Sequence, residues 1–161
     1  MASIFGIDED KVRVIAPDVG GGFGQKVMFP YPDELLVPLA AIELGVPVKY
    51  IEDRRENFIG SNQERKQIHH IELYSNKKGE VLALKDFFLH DTGAFIPYGI
   101  AIAQVASTSI AGPYRIPNIH VQFQAVYTPT ITVTPYRGCG RPQACFAIER
   151  LSLIHISEPT R

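Results

Sequence analysis

The sequence predicts an α+β fold: a mixed sheet with antiparallel hairpins and packed helices. The strongest sign is the run IHHIELYSNKKGEVLALKDFFLHD, in which two β-rich segments flank Asn76-Lys77-Lys78-Gly79. His70, Glu72 and Tyr74 alternate there with Ile71, Leu73 and Ser75, the period of a half-buried strand. The second sign is that helix-like segments are interleaved with such hairpins along the chain. The composition agrees: 161 residues, net charge −1, 45% hydrophobic and 20% charged, the balance of one soluble domain or a large part of one.

Taken in order, residues 3–9 (IFGIDED) read as a helix end or turn. VRVIA at 12–16 is β-branched and apolar, Pro17 ends it, and it predicts a buried strand. A glycine loop follows, and Pro30 and Pro32 keep the chain extended after it. A helix is expected from Pro32-Asp33 to a stop at Gly45, with Leu35, Leu36, Leu39, Ala40 and Ile42 on its apolar face and a kink or late start at Pro38. VPVKYIED (46–53) reads as a second strand, and RRENFIGSNQERKQ as polar and irregular. After the hairpin comes a buried helix from about Gly99 to Ile110, stopped by Gly112-Pro113. NIHVQFQAVYT alternates and predicts another strand. TPYRGCGRP is a loop, and PQACFAIER opens a helix with Pro142 in its first turn. LSLIHISEPTR (151–161) is expected to break that helix. It reads as a non-native or disordered tail, leaving one domain over 1–150.

Several function classes are disfavoured. The near-neutral charge lacks a basic cluster, which argues against nucleic acid. The longest apolar run, YGIAIAQVASTSIAG, is too short and too polar to span a bilayer. Residues 2–11 have no signal-peptide character. Cys139 and Cys145 form neither a CxxC pair nor a disulfide framework, so a cytoplasmic location is the default. His69, His70, His90 and His120 match no metal-binding spacing, and no metal ligand set is read. No acid–base pair emerges from Asp53, Glu56 and Asp91, and there is no GxSxG elbow.

Two glycine-rich elements stand out. DVGGGFGQK at 18–26 follows a strand-like run, the arrangement that cradles phosphates. It matches neither GxxxxGK[ST] nor GxGxxG, so a tight turn and a ligand loop remain open alternatives. In YRGCGRPQACFAIER, Gly138 and Gly140 hold Arg137 and Arg141 just before a helix N-terminus. Backbone N–H groups, the helix dipole and guanidinium donors together suit an anion. Solvated arginines at a helix cap are the alternative.

In this order, KVRVIAPDVGGGFGQK, LGVPVKYIEDRRENF, HDTGAF and YRGCGRPQACFAIER resemble the large subunit of the xanthine dehydrogenase/aldehyde oxidase family of molybdenum hydroxylases. The nearest flavour is that of the aldehyde and carbon monoxide dehydrogenase-like subunits. The resemblance runs to about Arg150 and implies an internal fragment, a partial molybdopterin-binding domain of a longer subunit. It implies a molybdenum–molybdopterin cofactor, in plain or dinucleotide form, with iron–sulfur clusters and flavin on partner subunits or domains. It also implies hydroxylation of a small molecule with water as the oxygen source. By the resemblance, Gly21, Gly22, Phe23 and Gly24 lie against the cofactor and Phe23 walls the substrate pocket. Arg137, Gly138 and Cys139 flank the cofactor from the opposite side. Tyr136 and Arg65 face substrate.

Two departures narrow the family. Val27 stands where purine-hydroxylating members carry a glutamate. Gly138 stands where copper-type members carry a cysteine. The family's proton-accepting glutamate lies outside this chain, so no catalytic residue is assigned and the fragment by itself is expected to be inactive. A non-catalytic α+β binding or scaffold domain is the competing reading. A nucleotide-binding domain is disfavoured because both fingerprints fail.

Overall fold

The computed structural model describes residues 1–26, 30–96, 98 and 100–157, with side chains to Ser152. The chain divides into two compact units, Met1–Ser61 and Asn62–Arg161.

In the first unit, α1 (Ala2–Phe5) ends at Gly6 in the left-handed conformation, and a 3-10 turn spans Glu9–Lys11. Residues 12–16 form no strand, and Val14 and Ile15 are each 69% exposed. The strand expected at 46–53 is likewise absent, with Val46, Tyr50 and Ile51 exposed. Both expectations are corrected for one reason. A β-branched run has the propensity for a strand, but a strand exists only when a neighbour takes its N–H and C=O groups. Among the described residues, neither segment has such a neighbour.

The helix expected between them is present. α2 (Pro32–Leu44) starts on Pro32 and stops at Gly45, whose φ is 66°. It runs through Pro38 without a late start. Its apolar positions Leu36, Leu39 and Ile42 are exposed. Residues 54–60, expected to be irregular, form α3 (Arg54–Gly60). A capping box starts it: Asp53 Oδ1 accepts from the Glu56 N–H at 2.8 Å, and Glu56 Oε2 accepts from the Asp53 N–H at 2.9 Å.

The second unit holds the sheet. β1 (Gln67–Ser75) and β2 (Val81–Asp91) form the expected antiparallel hairpin, turning through Gly79. β3 (Asn118–Val126) lies on the other side of β2 and runs parallel to it, so the sheet is mixed, in the order β1-β2-β3. Parallel neighbours need a crossover, and residues 92–117 supply it, including α4 (Ala101–Thr108). The expected start of this helix at Gly99 lies outside the described residues.

α5 (Arg141–Ser157) packs with α4 on the sheet. Leu84 and Ile110 meet Ala144, Ala147 and Ile148, with Ile71, Leu73 and Leu151 around them. Phe88 packs beside Ala103 and Ala106, next to Val121 and Phe123. Burying a side chain such as Leu84 or Phe88 contributes about 1.5–3 kcal/mol. The helix does not break at Arg150 as expected, because Ala144, Ala147, Ile148 and Leu151 continue one apolar row at helical spacing. Residues 158–161 of the expected tail lie outside the described residues.

Candidate functional site

The first glycine-rich element is a turn at residues 23–26, closed by the Lys26 N–H donating to the Gly22 carbonyl at 3.0 Å. Gly21 has φ 117° and Gly24 φ 91°, values that L side chains rarely adopt. The Phe23 ring folds back over Gly21, so a Cβ there would lie 3.1 Å from its edge. Gly20 differs: a Cβ on it meets nothing within 4 Å. The chain itself therefore accounts for Gly21, whereas Gly20 borders open space.

A pocket of about 370 Å³ begins at the next residue, lined by Gly21, Gly22, Phe23, Gln25, Lys26, Glu52 and the start of α3. Glu52 organises its wall. Its carboxylate accepts from Tyr31 Oη at 2.9 Å, from Asn57 Nδ2 at 3.0 Å and from Lys26 Nζ at 3.3 Å. Burial pushes the Glu52 pKa up. The donors Tyr31, Asn57 and Lys26 outweigh that and hold it below the usual carboxylate range. Burial and the same carboxylate push the Tyr31 phenol well above its ordinary value, so it stays a donor. Open main chain from glycines, beside a fixed lysine and an amide, fits a ligand rich in oxygen and nitrogen, such as a phosphorylated pterin.

The second element is built by segment 62–66. Gln63 bridges to Val133, with the Thr134 N–H donating to the Gln63 carbonyl at 3.1 Å. This lays Glu64 and Arg65 against the Tyr136–Gly140 loop. The Glu64 side chain is 0% exposed. Its Oε1 accepts from the Gly140 N–H at 2.8 Å and from Gln143 Nε2 at 3.2 Å, and its Oε2 accepts from the Tyr136 N–H. Arg65 donates to the carbonyls of Tyr136 at 3.1 Å and Arg137 at 2.7 Å, and its guanidinium lies 5.4 Å from the Tyr136 ring centre. The Arg65–Glu64 ion pair is 3.0 Å.

The loop itself is left-handed through Gly138 (φ 115°), Cys139 (φ 46°) and Gly140 (φ 82°). A Cβ on Gly140 would lie 2.3 Å from the Ile102 carbonyl oxygen, and one on Gly138 would lie 2.7 Å from the Pro142 ring. These glycines let the loop pack on α4 and on the start of α5. Cys139 is half-buried. Burial pushes its thiol pKa up, the Glu64 carboxylate adds to that, and Arg141 and Arg65 only partly oppose it. The thiol is protonated at neutral pH.

Within HDTGAF, Asp91 accepts from Thr128 Oγ1 at 2.6 Å and from the Gly93 N–H at 2.8 Å, and it pairs with Lys66 at 2.8 Å. Gly93 faces the Ile131 carbonyl so closely that a Cβ would lie 2.2 Å from its oxygen. Next to this tie, His90 is buried and its Nδ1 is 3.0 Å from the Gln67 amide nitrogen.

Of the residues expected from sequence, Gly21, Gly22, Phe23 and Gly24 lie at and just before one turn in the first unit. Arg65, Tyr136, Arg137, Gly138 and Cys139 come together in the second unit. Sequence reasoning missed Glu52, Glu64 and Gln143. Glu64 sits in the polar string QERK, which reads as a solvated face, and no local pattern marks it as buried. Among the described residues, no helix is long and apolar enough to cross a membrane.

The chain resembles known proteins over nearly its whole length. Residues 1–153 match the family model of the molybdopterin cofactor-binding domain. The chain is 32% identical over 152 residues to the 6-hydroxypseudooxynicotine dehydrogenase complex subunit gamma of Paenarthrobacter nicotinovorans, covering 94% of this chain and 19% of that protein. It is 38% identical over 151 residues to the carbon monoxide dehydrogenase large chain of Afipia carboxidovorans, covering 91% of this chain and 18% of that protein. Its fold matches the crystal structure of quinoline 2-oxidoreductase from Pseudomonas putida 86 with a TM-score of 0.82 at 36% identity, over 98% of this chain and 20% of that one. The chain thus spans about a fifth of the length of its relatives, and with both glycine loops and the mixed sheet it belongs to the molybdopterin cofactor-binding domain family.

Proposed function

We propose that this chain is part of the large subunit of a molybdenum hydroxylase that oxidises an aldehyde or an N-heterocycle-type small molecule, with water as oxygen donor. The family match over residues 1–153 carries this reading. Two relatives are named for nicotine and for quinoline, which supports a heterocyclic substrate. A molybdenum–molybdopterin group, in plain or dinucleotide form, supplies the redox chemistry when bound. Iron–sulfur and flavin partner subunits take the electrons. The reaction belongs in the cytoplasm and needs neither nucleic acid nor a membrane.

The chain's own residues bind and orient. The main chain of Gly21, Gly22 and Gly24 approaches the cofactor, and Phe23 walls the substrate pocket. Arg137, Gly138 and Cys139 flank the cofactor, with the positive charge of Arg137 suited to its oxygens. Tyr136 faces substrate. Arg65, first expected to do the same, has its guanidinium on the Tyr136 and Arg137 carbonyls, so it serves the substrate side through the loop. No group here is assigned as the proton acceptor, and the chain alone is expected to be inactive.

The test is to express the full-length subunit with its partner subunits and measure bound molybdenum and dye-linked oxidation of aldehydes and N-heterocycles. The expected result is near-stoichiometric molybdenum and activity. Absence of molybdenum, in a host that loads a control molybdoenzyme, overturns the proposal in favour of a scaffold domain.

A further inference from the structure

We propose that Glu64 and Arg65 are positioning residues that preset the Tyr136–Gly140 loop; their effect on the cofactor rests on the function proposed above. A buried carboxylate is costly unless its oxygens are satisfied. Glu64 is fully buried, and both of its oxygens are engaged by main-chain N–H groups of this loop. Arg65 takes the opposite polarity, donating to the Tyr136 and Arg137 carbonyls. Adjacent residues of one segment thus grip both the donors and the acceptors of the same loop.

The strain in the backbone agrees. Cys139 has φ 46° and Arg65 has φ 97°, and neither is glycine. Such conformations are strained and persist only where the surroundings over-determine them. What an acid and a guanidinium add is direction. Glu64 and Arg65 set which way each peptide group of the loop points, and hence what its remaining face offers a ligand. Gln143, on the first turn of α5, joins them by donating to Glu64, so the loop is registered against the helix as well.

The experiment uses the full-length subunit in its complex. Glu64→Gln keeps the shape but sets an amide donor against a main-chain donor. Arg65→Lys, at a partly exposed position, removes the Nη2 atom that donates to both carbonyls and puts a point charge on a shorter stem in its place. Leu84→Ala, in the core and outside the grip, controls for lost stability. Amide hydrogen exchange of residues 134–141, molybdenum content and the molybdenum paramagnetic resonance signal are measured. In Glu64→Gln and Arg65→Lys, exchange is expected to rise at least tenfold and the resonance signal to shift. Leu84→Ala is expected to lower the melting temperature while changing neither.

Unchanged exchange and signal in both variants overturn the proposal, and Arg65→Lys decides alone if Glu64→Gln does not fold. Faster exchange with an unchanged signal refutes the positioning role toward the cofactor. A wild-type complex without molybdenum refutes the proposed function instead, and hydrogen exchange then still decides whether the grip exists.

Discussion

A methyl group added at Gly140 would lie 2.3 Å from a backbone oxygen of α4, on a residue with φ 82°. Added at Gly20 it would touch nothing within 4 Å, and no left-handed φ stands in its way. The two substitutions are therefore expected to separate folding from binding. Gly140→Ala should destabilise the protein by roughly 1–3 kcal/mol or more, from backbone strain and overpacking. Gly20→Ala should leave stability unchanged or raise it by about 0.4–1 kcal/mol, through the less flexible unfolded chain. In the full-length subunit, Gly20→Ala should nevertheless lower molybdenum content. Thermal melts and metal analysis of the two variants check this.

His90 gives a pH dependence at the same scale. Burial pulls its pKa below 6.5, outweighing the nearby Glu64 and Asp91 carboxylates, so the folded protein holds it neutral. The unfolded chain takes up a proton below about 6.5 while the folded chain does not. Stability is therefore full above that pH and falls as the pH drops towards 5. Asp91 adds its share lower down. Burial raises its pKa, but Lys66, Thr128 and the Gly93 N–H bring it below the ordinary carboxylate value, so its contribution is lost in stronger acid. Replacing His90 with Gln should flatten the upper part of the profile, read by chemical denaturation between pH 7 and 5.

Among the elements, the hairpin was legible in the sequence because everything it needs is local. Alternation, a turn and a glycine at the turn's close all lie within residues 67–91. α2 and α4 were legible through their Pro and Gly boundaries. The segments 12–16 and 46–53 misled, because a β-branched run records propensity and says nothing of a partner strand. α3 was overlooked although its signal was present: Asp53 followed by Glu56 is a capping box, read at first only as polarity. Asp53→Ala should cost about 0.5–2 kcal/mol of stability in the first unit, and a melt followed by helix content checks it. The site divides in the same way. Its glycines and Arg137 were visible in short motifs, whereas Glu52 and Glu64 act on residues far from them in sequence.

For the whole molecule, the first unit leaves Val14, Ile15, Val19, Leu36, Ile42, Ile51 and Phe58 exposed. That many exposed large apolar side chains in one unit mark surface that another segment or partner covers. The chain spans only 19% of the first relative's length. The 161-residue chain alone is thus expected to bind an apolar dye and to self-associate, and the full-length subunit to do neither, as measured by dye fluorescence and light scattering. A monodisperse, dye-silent isolated chain would contradict this.

The Glu64 carboxylate, finally, is an anion that the polypeptide carries inside a cradle of its own N–H groups. Cutting the side chain back to alanine would leave the Tyr136 and Gly140 amides converging on a vacancy the size of a small carboxylate. Formate should then refill it and restore loop protection in a dose-dependent way, while a neutral molecule of equal size should not. The protein would have exchanged a covalent counter-ion for a diffusible one.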